Sequence, residues 1–369
     1  MNIIARKDLW YKLSPREIQD TGGILAVDVG GGTQDILVYQ PGVEMENNVK
    51  LVLPSQTQIV AKRIERLTDE GRDIFIHGHL MGGGSSSGAV KNHIQKGYNV
   101  FATRQAALTI KDNIEEVTAR GIRVVDSPPE TSAHIEFKDI DIPALRKALR
   151  PFEVELPTRF AFAVQDHGFS PDKSNRQFRF EHWQKFLSAG GSLADLIYSQ
   201  STLPSYFTRM KAVMESCREE ADQVWLMDTG AAAIMGTLED PQVKKAVDQE
   251  GAMLVNVGNQ HTIAFLVASS KVYGVFEHHT GILTSTSLLD YLARFRRGSL
   301  TNEEVFADHG HGSVILPAAK DFSVNFTAVT GPRRGLAKDI GYMAVPHGDM
   351  MISGPAGLVR SVLNETGGL

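Results

Sequence analysis

The chain has 369 residues, 42% hydrophobic and 22% charged, a globular composition of a length that fits two domains or one domain with a large insertion. Lys and Arg number 38 against 43 Asp and Glu, a net charge of -5, so a dedicated nucleic-acid binder, which would be basic, is not expected. The single cysteine, Cys217, excludes a disulfide framework, a cysteine zinc ribbon or an iron–sulfur cluster built within one chain.

Residues 1–21 read as a short polar extension whose charges interrupt every apolar run. Neither a signal peptide nor a membrane helix is expected, and the expected compartment is the cytoplasm. Strands are predicted over Ile24–Val29 and Ile36–Tyr39, joined by Gly30-Gly31-Gly32-Thr33 as a β-hairpin. Val49–Leu53 predicts a third strand and 57–69 a helix. From 73 to 166 strand and helix patterns alternate, with a helix over 89–97 and one long helix over 104–121, which argues for an α/β architecture. Residues 158–168 read as a strand running into a polar loop, 170–178 as loop and 181–220 as mostly helical. A strand over 224–228 then leads into a small-residue helix from Thr229. Laid over residues 25–39, residues 253–267 repeat their pattern: Asp28 falls on Asn256 and Gly30 on Gly258. Two halves opening with the same hairpin predict an internal duplication facing a central cleft.

The string from Asp28 to Asp35 carries the chemistry. Its glycines let a turn present several N–H groups to one anion, Thr33 adds a hydroxyl, and Asp28 can hold Mg2+ through water. A Walker loop fails because Gly88 is followed by Ala89, and a dinucleotide fingerprint fails because Asp35 stands where its third glycine belongs. A plain glycine hairpin is the alternative.

D-x-G-G-G-T-x-D between two strands resembles the phosphate loop of the actin, sugar-kinase and heat-shock-chaperone ATPase superfamily. In order along the chain, Val224–Gly236 resembles its first connecting segment and Leu254–Val267 its second phosphate hairpin. Thr284–Arg297 resembles its second connecting helix, and Met350–Leu358 its adenosine motif, an apolar strand entering a glycine turn. The strings at 81–88, 163–183 and 346–358 are similar to a prokaryotic family of that superfamily whose members are sometimes labelled pyruvate formate-lyase activating enzymes. That label requires three cysteines to hold a cluster, and this chain has one.

The resemblance implies a two-lobed actin-like ATPase fold, a duplicated ribonuclease H-like α/β architecture. Residues 22–240 would form the first lobe, with an inserted α/β region at about 70–220, and 241–369 the second. ATP and Mg2+ would be held by Gly30, Gly31, Gly32 and Thr33, by Gly258, Asn259 and Gln260, and by Gly354, Pro355 and Ala356. Asp28 and Asp228 would be the metal pair, joined by Asn256, which brings no charge; Asp228 can equally cap the helix after it. Asp166 and His167, at a strand end, are the candidate general base. Gly83, Gly84, Ser85 and Ser86 open a helix and can bind the second substrate's anionic group, or form a surface loop. Arg333 and Arg334 can clamp an anion, or form an exposed basic loop. His77, His79, His167, His278, His279, His309 and His311 invite a metal other than Mg2+, but no third ligand stands at a zinc spacing, and most of them read as turn or surface residues. His347-Gly348-Asp349, next to the adenosine-like segment, is a candidate edge for base or ribose. The implied activity is an ATPase or phosphotransferase acting on a small-molecule or protein acceptor, with a homo-oligomer admissible and no membrane partner. Two alternatives stay open: a small-molecule kinase or ATP-dependent group transferase, and a regulatory or assembly protein that binds nucleotide without hydrolysing it.

Overall fold

The computed structural model describes residues 22–321 and 324–367; the extension at 1–21 lies outside the described residues. In chain order the strands are β1 (Ile24–Val29), β2 (Thr33–Tyr39), β3 (Val49–Pro54), β4 (Ile74–Gly78), β5 (Val100–Ala102), β6 (Ile122–Val124), β7 (Ala133–Phe137) and β8 (Arg159–Val164). They continue as β9 (Ile197–Ser199), β10 (Gln223–Met227), β11 (Ala252–Val257), β12 (His261–Ala268), β13 (Lys271–His279), β14 (Gly312–Ile315), β15 (Phe326–Thr330) and β16 (Tyr342–Met343).

One sheet runs β3-β2-β1-β8-β10-β9 and a second β14-β13-β12-β11-β15-β16. In each, an antiparallel meander is extended in parallel from its first strand, β1 onto β8 and β11 onto β15. The order β3-β2-β1-β8-β10 thus recurs as β13-β12-β11-β15-β16. This is a duplicated ribonuclease H-like core, and the chain has the two-lobed actin-like ATPase fold.

A third sheet, β6-β5-β4-β7, is parallel throughout and has its own core around Ile64, Ile74, Val100 and Phe137. Helix Gln56–Asp69 packs on it because Val60, Ile64 and Leu67 recur at helical spacing on one face. This inserted unit lies between β3 and β8, so the insertion expected over 70–220 is shorter: β8 and β9 are both strands of the first sheet, β8 beside β1 and β9 beside β10. The long helix expected at 104–121 is two, Arg104–Ala107 and Ile114–Ala119, because the Asn113 side chain accepts the Glu115 N–H at 2.7 Å and starts a new helix. The segment read as loop at 170–178 enters helix Asn175–Ser188, capped by Ser174, and a second helix, Thr208–Ser216, follows β9.

Two helices join the lobes, Thr229–Thr237 and Ser353–Thr366. A Cβ on Gly236 would overlap the Ser353 carbonyl, and one on Gly357 the Ala232 carbonyl, so only glycine allows this crossing. Around it one core takes Ile24 and Ala26 from the first sheet, Ala231 and Met235 from one helix, Leu358 and Val359 from the other, and Leu254 and Phe265 from the second sheet. The lobes are therefore packed on a shared interior.

Two sequence assignments move as a result. Helix Ser285–Arg296 buries Leu288, Leu292 and Phe295 in the second lobe's own core and connects nothing. The connecting role falls to Ser353–Thr366, which packs back on β1 and β8 and so leaves the lobe to which 241–369 assigned it. Met350–Leu358 is no strand: a short 3-10 turn capped by Asp349 runs straight into that helix, whose first turn tolerates Pro355. The strand entering a glycine turn is instead β15 followed by Gly331, held at φ +99°.

Candidate functional site in the cleft between the lobes

The two hairpin turns close identically: the Gly30 N–H donates to Thr33 O at 2.8 Å and the Gly258 N–H to His261 O at 2.9 Å. They meet face to face. A Cβ on Gly31 would overlap the Gln260 side chain, and one on Gly32 would lie 2.7 Å from Asn259 Nδ2. Glycine on one turn is what lets the amides of the other approach. Cavities flank the paired turns, one of about 400 Å³ reaching Gly31, Gly83, Asp166, His167 and Asp228, the other of about 60 Å³ among Asp28, Thr33, Asp35, Asn256, Gly331 and Gly354.

The small cavity is acidic. Asp28 stands opposite Asp35 across the hairpin and is 8% exposed. Burial, then the charge of Asp35, pushes the Asp28 carboxyl well above the usual range, against a 2.5 Å hydrogen bond donated by Thr229. Burial likewise pushes Asp35 up to about 7, with a hydrogen bond from Thr33 opposing and the Asp349 charge adding. Asp35 Oδ1 is buried without a partner, and among the described residues no ion pair within 4 Å reaches either carboxylate. A Cβ on Gly354 would overlap the Asp28 carboxylate, so glycine is required there too. Two buried carboxyl groups without a counter-cation are oxygen donors of the kind Mg2+ takes, and a bound cation would favour their charged forms. The volume suits an ion or a phosphate group; small-molecule sites run to about 300–1,000 Å³, so a whole nucleotide requires the turns to part.

Asp228, expected as the second metal ligand, is committed elsewhere. Arg179 donates to its Oδ2 at 2.8 Å and its Oδ1 at 3.2 Å, and the Gly230 N–H to Oδ1 at 3.0 Å, which caps the connecting helix. The expected cap is formed, and the residue that faces Asp28 across the ladder is Asp35. Arg179 also donates to Glu277 at 2.6 Å and to the Asp166 carbonyl at 3.1 Å, so one buried guanidinium joins Asp228 of the first lobe to Glu277 of the second. Glu277 takes a further bond from Gln165 at 2.9 Å. Asn256 reaches both cavities, its Oδ1 packed beside Gly331.

Asp166 reaches the large cavity but is no free base. Its carboxylate accepts the N–H groups of Gly168, Arg209 and Met210 at 2.8, 2.9 and 3.0 Å. It therefore anchors the loop after β8 to helix Thr208–Ser216. Gly83 and Gly84 line the cleft, but the hydroxyls beside them are engaged: Ser86 Oγ donates to Gly83 O at 2.6 Å, and Gln58 donates to both Ser85 Oγ and Gly31 O at 2.9 and 3.0 Å. Gln58 ties the inserted unit to the first turn. Arg333 is exposed and Arg334 donates to Ala344 O at 3.0 Å; neither lines either of these two cavities. Pro355 and Ala356 are buried in the helix crossing, and of that trio only Gly354 reaches the site. His347 lies near Glu46 and Glu239 and lines neither cavity. The histidine reading needs correcting as well: His278 and His311 are buried, and His167, His261 and His311 meet at the wall of the cleft.

Asp35 was legible as the last letter of the loop motif. Arg179 and Glu277 had no local signal, because their partners are far away in the chain.

A family model described as "Putative pyruvate format-lyase activating enzyme (DUF1786)" matches residues 81–336. Comparison with curated proteins finds no match. Among solved structures, a Bacteroides thetaiotaomicron protein with actin-like ATPase fold and unknown function is similar over 95% of this chain and 98% of its own, at 6% identity and TM-score 0.40. The ethanolamine utilization protein EutJ of Carboxydothermus hydrogenoformans aligns over 93% of this chain and 92% of its own, at 10% identity and TM-score 0.33. A ROK family glucokinase from Streptomyces griseus, solved with glucose and AMPPNP, aligns over 92% and 98%, at 12% identity and TM-score 0.32.

Proposed function

The chain belongs to the DUF1786 family, and we propose that it binds ATP with Mg2+ between its lobes and transfers the terminal phosphoryl group to an acceptor held in the larger cavity. The activity in the family's description is not followed: an activase cluster needs several thiolates, and the lone Cys217 is buried with its thiol pushed up to about 12 by burial. The observation that carries the proposal is the meeting of the two turns with an uncompensated Asp28–Asp35 pair behind them.

Asp28, Asp35 and Asn256 would hold the hydrated ion. Bound there, Mg2+ would supply charge neutralisation for the phosphates. The turns would supply backbone donors, and Gln58, bonded to Gly31 O and Ser85, would carry the inserted unit along as the lobes move. Catalysis would rest on positioning rather than covalent chemistry.

A second reading, nucleotide binding without turnover, is favoured by one finding: Asp166 and Asp228 are saturated with donors, leaving neither free to act as a base. Calorimetry with ATP, ADP and GTP, each with and without Mg2+, followed by product detection over a metabolite panel, separates the readings. Mg2+-dependent ATP binding with an acceptor-stimulated product supports transfer, and binding with no product supports the second reading. No binding under any condition removes both.

A further inference from the structure

We propose that His167, His261 and His311 form a site for one divalent first-row transition ion, with zinc the expected occupant, on the wall of the larger cavity. A ring nitrogen of each lies within 4.8 Å of the others. They come from three separate places: His167 from the loop after β8, His261 from the start of β12, and His311 from the residue before β14. His167 Nε2 and His311 Nε2 are 3.0 Å apart, and the His261 ring packs edge-on to both, at centroid distances of 6.1 and 4.9 Å. Three imidazoles converging from three elements is a ligand set that borderline ions favour, and three histidines with one open position is a known catalytic zinc arrangement.

The cluster is incomplete as a purely hydrogen-bonded one. Two facing imidazoles can share a single proton, which accounts for the His167–His311 contact. His261 Nε2 and His311 Nδ1 remain buried with no partner, an uncommon state for buried polar atoms.

The rings are held in place before any ion arrives. The backbone N–H of His311 donates to the backbone carbonyl of Glu277 at 3.0 Å, and Arg176 donates to Gly310 O at 2.8 Å. His167 follows Asp166, whose carboxylate is fixed by three backbone donors. Of the nearby cations, Arg179 is balanced by Glu277 and Asp228, while Arg176 is bonded to the Phe306 and Gly310 carbonyls and adds positive charge near His311. Burial is the leading cause that holds all three rings below the usual histidine range. His311 is buried, whereas His167 and His261 line the cavity, so the open side of the site faces the space assigned to the acceptor. The site stands independently of nucleotide binding.

The test uses the full chain without an affinity tag, stripped with EDTA and exchanged into metal-free buffer. Titration with Zn2+ is followed by calorimetry and with Co2+ by visible absorbance. The expected result is one equivalent of Zn2+ and the strong d–d bands of a low-coordinate Co2+ site. His167→Gln and His311→Gln should each weaken binding by at least the roughly 100-fold that even outer-shell changes can reach. His134→Gln, on the exposed face of β7, should bind as the native chain does. Absence of stoichiometric uptake by the native chain overturns the site, whether or not the variants fold. So does uptake that persists undiminished in folded His167→Gln and His311→Gln. ATP affinity, measured separately, is expected to be the same in the stripped chain, so failure here leaves the nucleotide reading standing.

Discussion

The two hairpins have one backbone and two chemistries. Both close with the same hydrogen bond, and both put their fourth turn residue at the start of the returning strand. In the first, Asp28 faces Asp35 across the ladder and three glycines form the bend. In the second, Asn256 faces Ile263, and Asn259 and Gln260 stand where Gly31 and Gly32 stand in the first. The acidic half is bare and the neutral half carries the side chains, so each fills what the other leaves open. Duplication preserved the hydrogen-bond geometry, which any sequence with the right turn residues satisfies. It did not preserve charge: the acidic pair stands on the first hairpin alone.

The largest expected effect concerns what binds the halves together. Arg179→Ala leaves Asp228 and Glu277 buried without their shared cation and should cost about 3–5 kcal/mol of unfolding free energy. Urea denaturation checks this, and a loss below 1 kcal/mol, the range of exposed pairs, would show the bridge is not what couples the lobes. Next comes the asymmetry itself. Asp28→Ala should weaken Mg2+-dependent ATP binding about 100-fold, roughly 2.7 kcal/mol, and Asn256→Ala less than about ten-fold. Equal losses in calorimetry would mean the halves share the ion evenly.

The fit of the turns can be tried by exchange. Gly32→Val should destabilise by about 1–3 kcal/mol because its Cβ meets Asn259. Adding Asn259→Gly should restore the melting temperature but not ATP affinity, since the valine still occupies the bend. If stability is not restored, the turns do not meet in solution as they do here.

The smallest effect lies outside both hairpins and serves as their reference. Glu239, beyond the first connecting helix, is paired with Arg360 on the second. Burial pushes its carboxyl up, but the neighbouring His347 and Arg360 outweigh this and leave it below the usual range. A folded-state value below the unfolded one contributes stability above the ordinary glutamate pKa of about 4.3, and that contribution is lost as pH falls through the lower value. The melting-temperature gap between native chain and Glu239→Gln should therefore shrink on acidification from about pH 6 to pH 3, and a constant gap would remove the pair as the cause.

Some of this was readable from the amino-acid order alone. The alternation of apolar runs and glycine turns determined both hairpins, their repetition and the α/β class, because strand period and turn chemistry are local. The inserted unit is shorter than the sequence pattern suggests, since β8 resembles its neighbours in composition and only pairing with β1 shows its sheet. The start of helix Ser353–Thr366 is hidden within Met350–Leu358 because that apolar run satisfies a strand pattern equally well, and what decides is the glycine crossing at Gly236. The partner of Asp228 and the meeting of His167, His261 and His311 belong to tertiary structure alone. Each depends on distances between residues far apart in the chain, and neither the type nor the spacing of those residues encodes which of them will share a site.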